Sequence, residues 1–475
     1  MSRPLTGSVG RYRSIAVCGG IAAVAYIVVL VWSMSHISYD IWGAMVIGPV
    51  LVLVSIPILE RAGRADPGRR TTRLLFCAFF AKMIGTLLRY AVTFEVYGGR
   101  ADAGGYHGSG SRLAAAFWDG NWDRVVHDEV PELIGTEFVR LTTGLMYIVT
   151  GPTKLGGFLL YGWLGFWGVF LFYRAFRIAV PGGDHWRYGL LVFFLPSLLY
   201  WPSSIGKESW MLFTLGIVAY GASLVLTYRP HGYLVLVVGL AGTAAVRPHI
   251  SLFAFGALFL ALVLRRRSWR DSRLGLLGRI VGLAAMIGIG AVVVTTAASF
   301  FNVGDVTELS GDSVDTVLDR TTDQSSTGGS EFESTRLTSP AEYPSALVSV
   351  LFRPFPWEAG NAQALAASAE GFVLLLVSIG SWRRIVRVPR AVVQIPYVAF
   401  AVSYTLMFVF AFSAVNNFGI LSRQRTQVLP LFLVVLAIPL ANESRQQSER
   451  PPPRPIARPV PRPRPPRRPT HPVQP

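Results

Sequence analysis

The chain has 475 residues, is 52% hydrophobic and only 15% charged, and carries a formal net charge of +17. Its apolar runs recur at lengths near the ~20 residues that cross a bilayer, which excludes a soluble globular domain. The positive charge does not point to nucleic acid, because the arginines stand at the ends of apolar runs and in a C-terminal tail, as cytoplasmic segments of a membrane protein require.

Taken in chain order, hydropathy places about twelve spans, near 14–33, 41–59, 72–93, 156–173, 188–201, 209–227, 232–246, 249–264, 277–300, 365–380, 391–413 and 425–441. The first run, Ile15 to Trp32, follows a basic start but is too long for a signal h-region and lacks a small-residue cleavage site, so it reads as a retained span. The apolar stretch 138–150 reads as a further span or as a helix lying in the interface. The expectation is an all-α polytopic integral membrane protein: a cytoplasmic N-terminus (1–13), a transmembrane domain (14–441) and a disordered cytoplasmic tail (442–475).

Orientation comes from the arginines. Arg3, Arg11 and Arg13 precede span one, ERAGRADPGRRTTR (60–73) follows span two, and YRAFR (173–177), RRRSWRDSR (265–273) and SWRRIVRVPR (381–390) follow later spans. All fall on one side, which the positive-inside rule makes cytoplasmic, together with both termini. The other side receives the turns 34–40, 202–208, 247–249 and 414–424 and two larger loops near 94–155 and 301–364.

The unusual polar residues gather on that external side. They occur in GGRADAGGYHGSGSR (98–112), SSIGKES (203–209), RPH (247–249), FRPFPWEAGN (352–361) and NNFGILSRQR (416–425). A lone ionisable group at a span end is usually an interfacial anchor. Five such clusters on one face, against the positive-inside tendency, argue for a site.

Each cluster offers particular chemistry. Arg247, Arg353, Arg423 and Arg425 carry planar guanidinium forks suited to phosphate oxygens, the bland alternative being snorkelling to phospholipid phosphates. Asp102, in a glycine-rich external loop, is the acid/base candidate, with Tyr106 and His107 beside it to orient an acceptor or contact a leaving phosphate; its bland reading is a solvated surface aspartate. Lys207 and Glu208 either form a local ion pair opening span six, or act apart, Lys207 neutralising a diphosphate and Glu208 positioning an arginine. Glu358, among rings suited to the headgroup belt or to a sugar face, is a second carboxylate, and His249 completes the external set.

Other chemistries find no support. Trp201 stands where a phosphate-binding P-loop needs its first glycine, and Glu208 where it needs Ser or Thr. Cys18 and Cys77 lie in or beside spans, so no disulfide framework or CxxC metal site is available. The acidic loop 301–345 lacks EF-hand spacing and reads as a solvated loop or a lid over the outer site; no cofactor is expected, although its carboxylates leave a weakly held divalent metal open. The Pro/Arg-rich tail reads as an extended arm touching anionic lipid headgroups or a partner that recognises PxxP.

Together, the external aspartate segment, the span GFLLYGWLGFWGVFLFYRAFR (157–177), LPSLLYWPSSIGKESWM (195–211), RPFPWE (353–358) and NFGILSRQR (417–425) resemble bacterial membrane proteins of surface-polysaccharide assembly. These are the polyprenyl-phosphate-dependent glycosyltransferases of the GT-C class and the O-antigen-polymerase-like proteins. The resemblance implies transfer or polymerisation of sugars from a polyprenyl-(di)phosphate donor to a glycan or lipid acceptor, at the outer face of the bacterial cytoplasmic membrane. It implies that Asp102 is catalytic and that Arg247, Arg353 and Arg423 or Arg425 bind carrier phosphate. The chain departs from the GT-C pattern in having two spans before the one that leads to the aspartate, and one aspartate where the pattern has an acidic pair. The alternatives are a transporter or flippase of lipid-linked or anionic glycans, and a noncatalytic assembly protein recruiting partners through its tail.

Overall fold

A computed structural model describes residues 6–440, apart from 65, 67, 100, 266–287, 289, 291–336 and 338. Span 277–300 and loop 301–345 therefore fall almost wholly outside the described residues, and the tail entirely so. The described residues are predominantly helical and contain no strand.

Three long helices open the chain: α1 (Thr6–His36), α2 (Tyr39–Gly63) and α3 (Arg70–Ala91), the last continued by a π-helical turn at Val92–Val96. Gly98 and Gly99 then take the positive φ values of 58° and 75° that L side chains resist, and the chain reverses. That reversal delivers α4 (Asp102–Trp118), α5 (Trp122–Glu129) and α6 (Thr136–Thr150). The expected loop 94–155 is thus mostly helix, and the glycines of DAGGYHGSGS sit inside α4. Of these, Gly110 packs on α6: a Cβ there would fall 2.6 Å from Thr143 Cγ2, and one at Gly144 of α6 would fall 2.7 Å from Leu113 Cβ, so these two glycines let α4 and α6 approach closely.

The centre of the molecule is α7 (Lys154–Ala179) against α10 (Lys207–Leu226), both largely buried. Their contact is backbone to backbone at Gly168 and Gly216, where an added Cβ would strike the opposing main chain. Between them in sequence, α8 (His185–Phe194) and α9 (Pro196–Tyr200) form one broken helix, because Pro196 cannot donate to the helical ladder and ends α8 two residues before it. This corrects the continuous span expected at 188–201.

The remainder packs around this pair: α11 (Gly232–Ala244), α12 (Pro248–Leu264), α13 (Tyr343–Phe352), α14 (Ala362–Gly380), α15 (Trp382–Ile385), α16 (Val388–Gln394), α17 (Pro396–Phe412), α18 (Phe418–Gln424) and α19 (Leu429–Val435). Among the described residues, six helices are long and apolar enough to cross a membrane: α1, α2, α3 with its π turn, α7, α10 and α14. Three shorter apolar helices, α11, α12 and α17, accompany them. The described residues do not confirm the count of twelve: 188–201 is broken, and 425–440 holds a one-turn 3-10 helix and the seven-residue α19.

Candidate functional site: a two-lobed cleft at one end of the bundle

Contacts between distant segments sort the polar clusters to one end. Gly135 N–H donates to the Ala245 carbonyl at 2.8 Å, Arg425 Nη1 to the Leu351 and Arg353 carbonyls at 2.9 Å each, and Tyr97 Oη to Gln363 Oε1 at 2.6 Å. The basic exits gather at the opposite end, where Arg384 pairs with Asp184 at 3.2 Å and Arg187 donates to Ser381 Oγ at 2.6 Å.

Within the polar end lies a cavity of about 800 Å³ whose walls include Arg89, Tyr97, Trp201, Asn361, Gln363 and Arg423. A smaller lobe of about 130 Å³ adjoins it and shares Arg89, Ala101, Trp201 and Arg423. Asp102, Tyr106 and Glu208 line only this smaller lobe. Among the described residues the charges are therefore segregated, with carboxylates lining the small lobe and none lining the large one.

Two carboxylate–guanidinium pairs organise the cleft. Arg423 Nη1, from α18, stands 3.4 Å from Asp102 Oδ2 at the N-terminus of α4, across 321 residues of sequence. The Asp102 side chain is 77% exposed, so solvent and ligands reach it freely. Deeper, Arg247 Nη2 lies 3.7 Å from Glu208 Oε1, and its Nη1 donates to Gln424 Oε1, which ties the entry of α12 to α10 and α18. Glu208 therefore faces an arginine and not its sequence neighbour Lys207, which favours its positioning role. Lys207 makes no ion pair with the described residues but lies within electrostatic reach of Asp102 and Glu208. Tyr106 is buried, and burial together with Glu208 and Asp102 pushes its phenol up to about 12, so it serves as a neutral hydrogen-bonding group.

Short helix α9 ends at Tyr200 and the chain turns through 201–206 before α10 begins, which leaves Trp201 at the junction of the two lobes. Lys82 Nζ, buried in α3, donates to the Leu198 carbonyl at 2.7 Å, and Glu370 of α14 accepts from Ser197 N–H at 2.6 Å. A donor and an acceptor side chain thus bracket the five-residue helix in the sense its dipole favours, and they hold the break in place.

The structure separates the remaining candidates from the cleft. His107 turns away: its Nδ1 lies 2.8 Å from Tyr147 Oη and its Nε2 3.7 Å from Asp40, which also pairs with Lys154 at 2.8 Å. Burial lowers the His107 pKa, against the opposing pull of Asp40. Arg353 and Glu358 close on each other, Nε reaching Oε1 at 2.9 Å and Oε2 at 3.2 Å, while Glu358 also caps Phe355 N–H at 2.7 Å. Arg425 is fully buried and holds backbone carbonyls, so it is structural. His249 sits in the first turn of α12 with its ring edge-on to Phe253 and lines neither lobe. The residue that sequence reading missed is Arg89, which lines both lobes. It sits inside an apolar span, and its only sequence signal was an arginine at the end of a helix expected to lead outward.

Fold and composition define an all-helical membrane protein with a polar cleft at one end of its bundle. Comparison with known protein families, with characterised proteins and with solved structures finds no match. Among the described residues, no group of three or more His, Cys, Asp or Glu is placed to hold a metal ion.

Proposed function

We propose that the protein is a membrane glycosyltransferase or polysaccharide polymerase that uses a polyprenyl-(di)phosphate-linked sugar, with the cleft at the outer face of a bacterial cytoplasmic membrane and both termini inside. The observation that carries this reading is the 3.4 Å approach of Arg423 to Asp102 at the boundary between a carboxylate-lined lobe and a larger one that no carboxylate lines among the described residues. Asp102 takes the proton of an acceptor hydroxyl as its oxygen bonds to the sugar's anomeric carbon. The bond from that carbon to the phosphate oxygen breaks, and the phosphate leaves with the electron pair. Arg423, with Arg247 behind it, stabilises the negative charge that develops there, which is where most of the rate acceleration is expected.

The test is complementation of a strain lacking the protein by wild type, Asp102→Asn and Arg423→Lys at equal membrane abundance, reading surface-glycan length and the sidedness of lipid-linked donor. Shortened glycan with donor accumulating on the outer face supports transfer. A second reading, transport of a lipid-linked or anionic glycan, draws on the broken helix α8–α9 with Lys82 and Glu370 at its ends, since discontinuous helices with charges beside them mark transporter sites. Both charges are engaged with backbone, which weighs toward a structural role. Donor retained on the inner face would favour transport, and unchanged glycan in both variants would sink the transfer reading.

A further inference from the structure

Arg247, Arg353 and Arg423 each face a carboxylate, at 3.7 Å, 2.9 Å and 3.4 Å respectively. Arg89 does not. Among the described residues no carboxylate comes within ion-pair distance of it, although Glu208 feels its charge from farther off. Its guanidinium is nonetheless held firmly: the carbon Cζ sits 4.7 Å from the centre of the Tyr200 ring and 4.9 Å from that of Trp201, and Nη1 donates to Tyr200 Oη at 2.9 Å. Its Nε is buried without a hydrogen-bond partner. A partly buried cation that lacks a counter-ion is costly, and a planar fork fixed by two rings has already lost the freedom that binding would otherwise remove.

Position adds the ligand class. Among the described residues, Arg89 and Arg423 are the cations common to both lobes, and none of those lining the large lobe is a carboxylate. Asn361, Gln363 and Tyr97 supply neutral hydrogen-bonding groups on the same wall. We infer that Arg89 is an anion-binding residue, and that with Arg423 it clamps a phosphate or diphosphate group in the large lobe. The inference deepens the transfer reading and rests on it only for what is attached to the phosphate. The same chemistry could come from a free phosphate or from a lipid headgroup, so the experiment has an arm for each.

The full-length protein in nanodiscs is titrated with inorganic pyrophosphate, and separately reconstituted with a long-chain prenyl monophosphate, with binding read by tryptophan fluorescence and by phosphorus NMR. Wild type is expected to bind at least one probe. Arg89→Gln is expected to weaken that binding about tenfold or more, the scale of a charge-assisted hydrogen bond. Arg89→Lys, which keeps the charge but not the stacked fork, should fall between, and Arg112→Gln, in a peripheral pair with Glu129, should leave binding unchanged. Pyrophosphate binding points to a soluble phosphate as the source, and prenyl phosphate binding alone points to a lipid headgroup. No binding of either probe by wild type, or equal binding by Arg89→Gln in a protein that still elutes as a single folded species, overturns the inference. Arg89-dependent binding without sugar transfer would leave this clamp standing and remove the transferase reading. Transfer undiminished in Arg89→Gln would do the reverse.

Discussion

Lys82 Nζ donates to the carbonyl of Leu198 at 2.7 Å, from the middle of α3 to the short helix α9. Lys82 is 2% exposed, and an added Cβ at Gly165 of α7 would come within 3.3 Å of Nζ, so there is no slack around the contact. Removing the donor strands a buried carbonyl that water cannot reach. Lys82→Met is therefore expected to destabilise the protein by about 1–3 kcal/mol, read as an earlier thermal unfolding transition in detergent. Lys82→Ala should be worse, since it adds a cavity. A melting curve for Lys82→Met that overlays wild type would show that the bracket around α9 contributes nothing.

Asp102 presents the opposite balance of stability and activity. Its side chain is exposed, and among the described residues it pairs with Arg423 at 3.4 Å, a geometry that contributes little to folding at a wet surface. Asp102→Asn should leave the melting temperature within the error expected for a surface substitution, about 0.5 kcal/mol. If Asp102 is the base, turnover on a lipid-linked donor should fall by roughly 10²–10⁴-fold. Turnover by purified Asp102→Asn within threefold of wild type would move the base elsewhere in the cleft, Glu208 being the next carboxylate on its wall.

Asp102 and Arg89 also mark the limits of what the sequence discloses. Hydropathy and arginine placement sort the polar clusters to one end because bilayer thickness and charge transfer act on the chain locally, residue by residue. Asp102, Glu208 and Arg423 line one lobe, and Arg247 stands behind Glu208 at 3.7 Å. A glycine-rich string reads as a loop until its partner is known, and Gly110 lies in α4 where Thr143 and Gly144 of α6 leave no room for a Cβ. Arg89 is uninformative until Pro196 breaks the facing helix and brings Tyr200 and Trp201 across from more than a hundred residues away. The same holds for His107, whose partners Asp40 and Tyr147 lie on α2 and α6. Side-chain direction on a helix selects the neighbour, and spacing along one strand of sequence does not reveal it.

His107 gives a pH dependence with a definite sign. Burial holds its folded pKa below the ordinary value near 6.5, so the fold prefers the neutral ring, and Asp40 only partly offsets this. Lys154 and Tyr147 are the other titratable groups at the cluster, and Lys154 disfavours a second positive charge. The contribution is complete above the unfolded value and is lost as pH falls from there through the lowered folded one. Thermal stability should therefore decline between about pH 7 and about pH 5, and His107→Gln should decline less steeply over that interval. Parallel slopes for the two proteins would mean that another group governs the acid side.

Sidedness decides whether the cleft can meet an external acceptor, and two exposed positions report it. Gly360, beside the cleft wall, has open space where a Cβ would stand, and Arg390 is exposed near the opposite, arginine-rich end. With Cys18 and Cys77 replaced by serine, Gly360→Cys in intact cells should react with a membrane-impermeant maleimide, and Arg390→Cys should react only after the membrane is opened. Neither substitution disturbs a packed contact, so expression should be unaffected. The positive-inside rule carries the expectation, because arginine-rich connections resist translocation while the cleft end contributes paired charges that do not. Labelling of Arg390→Cys from outside, with Gly360→Cys protected, would place the cleft in the cytoplasm. Asp102 and Arg423 would then face cytoplasmic substrates, and transfer to an external acceptor would have to be abandoned.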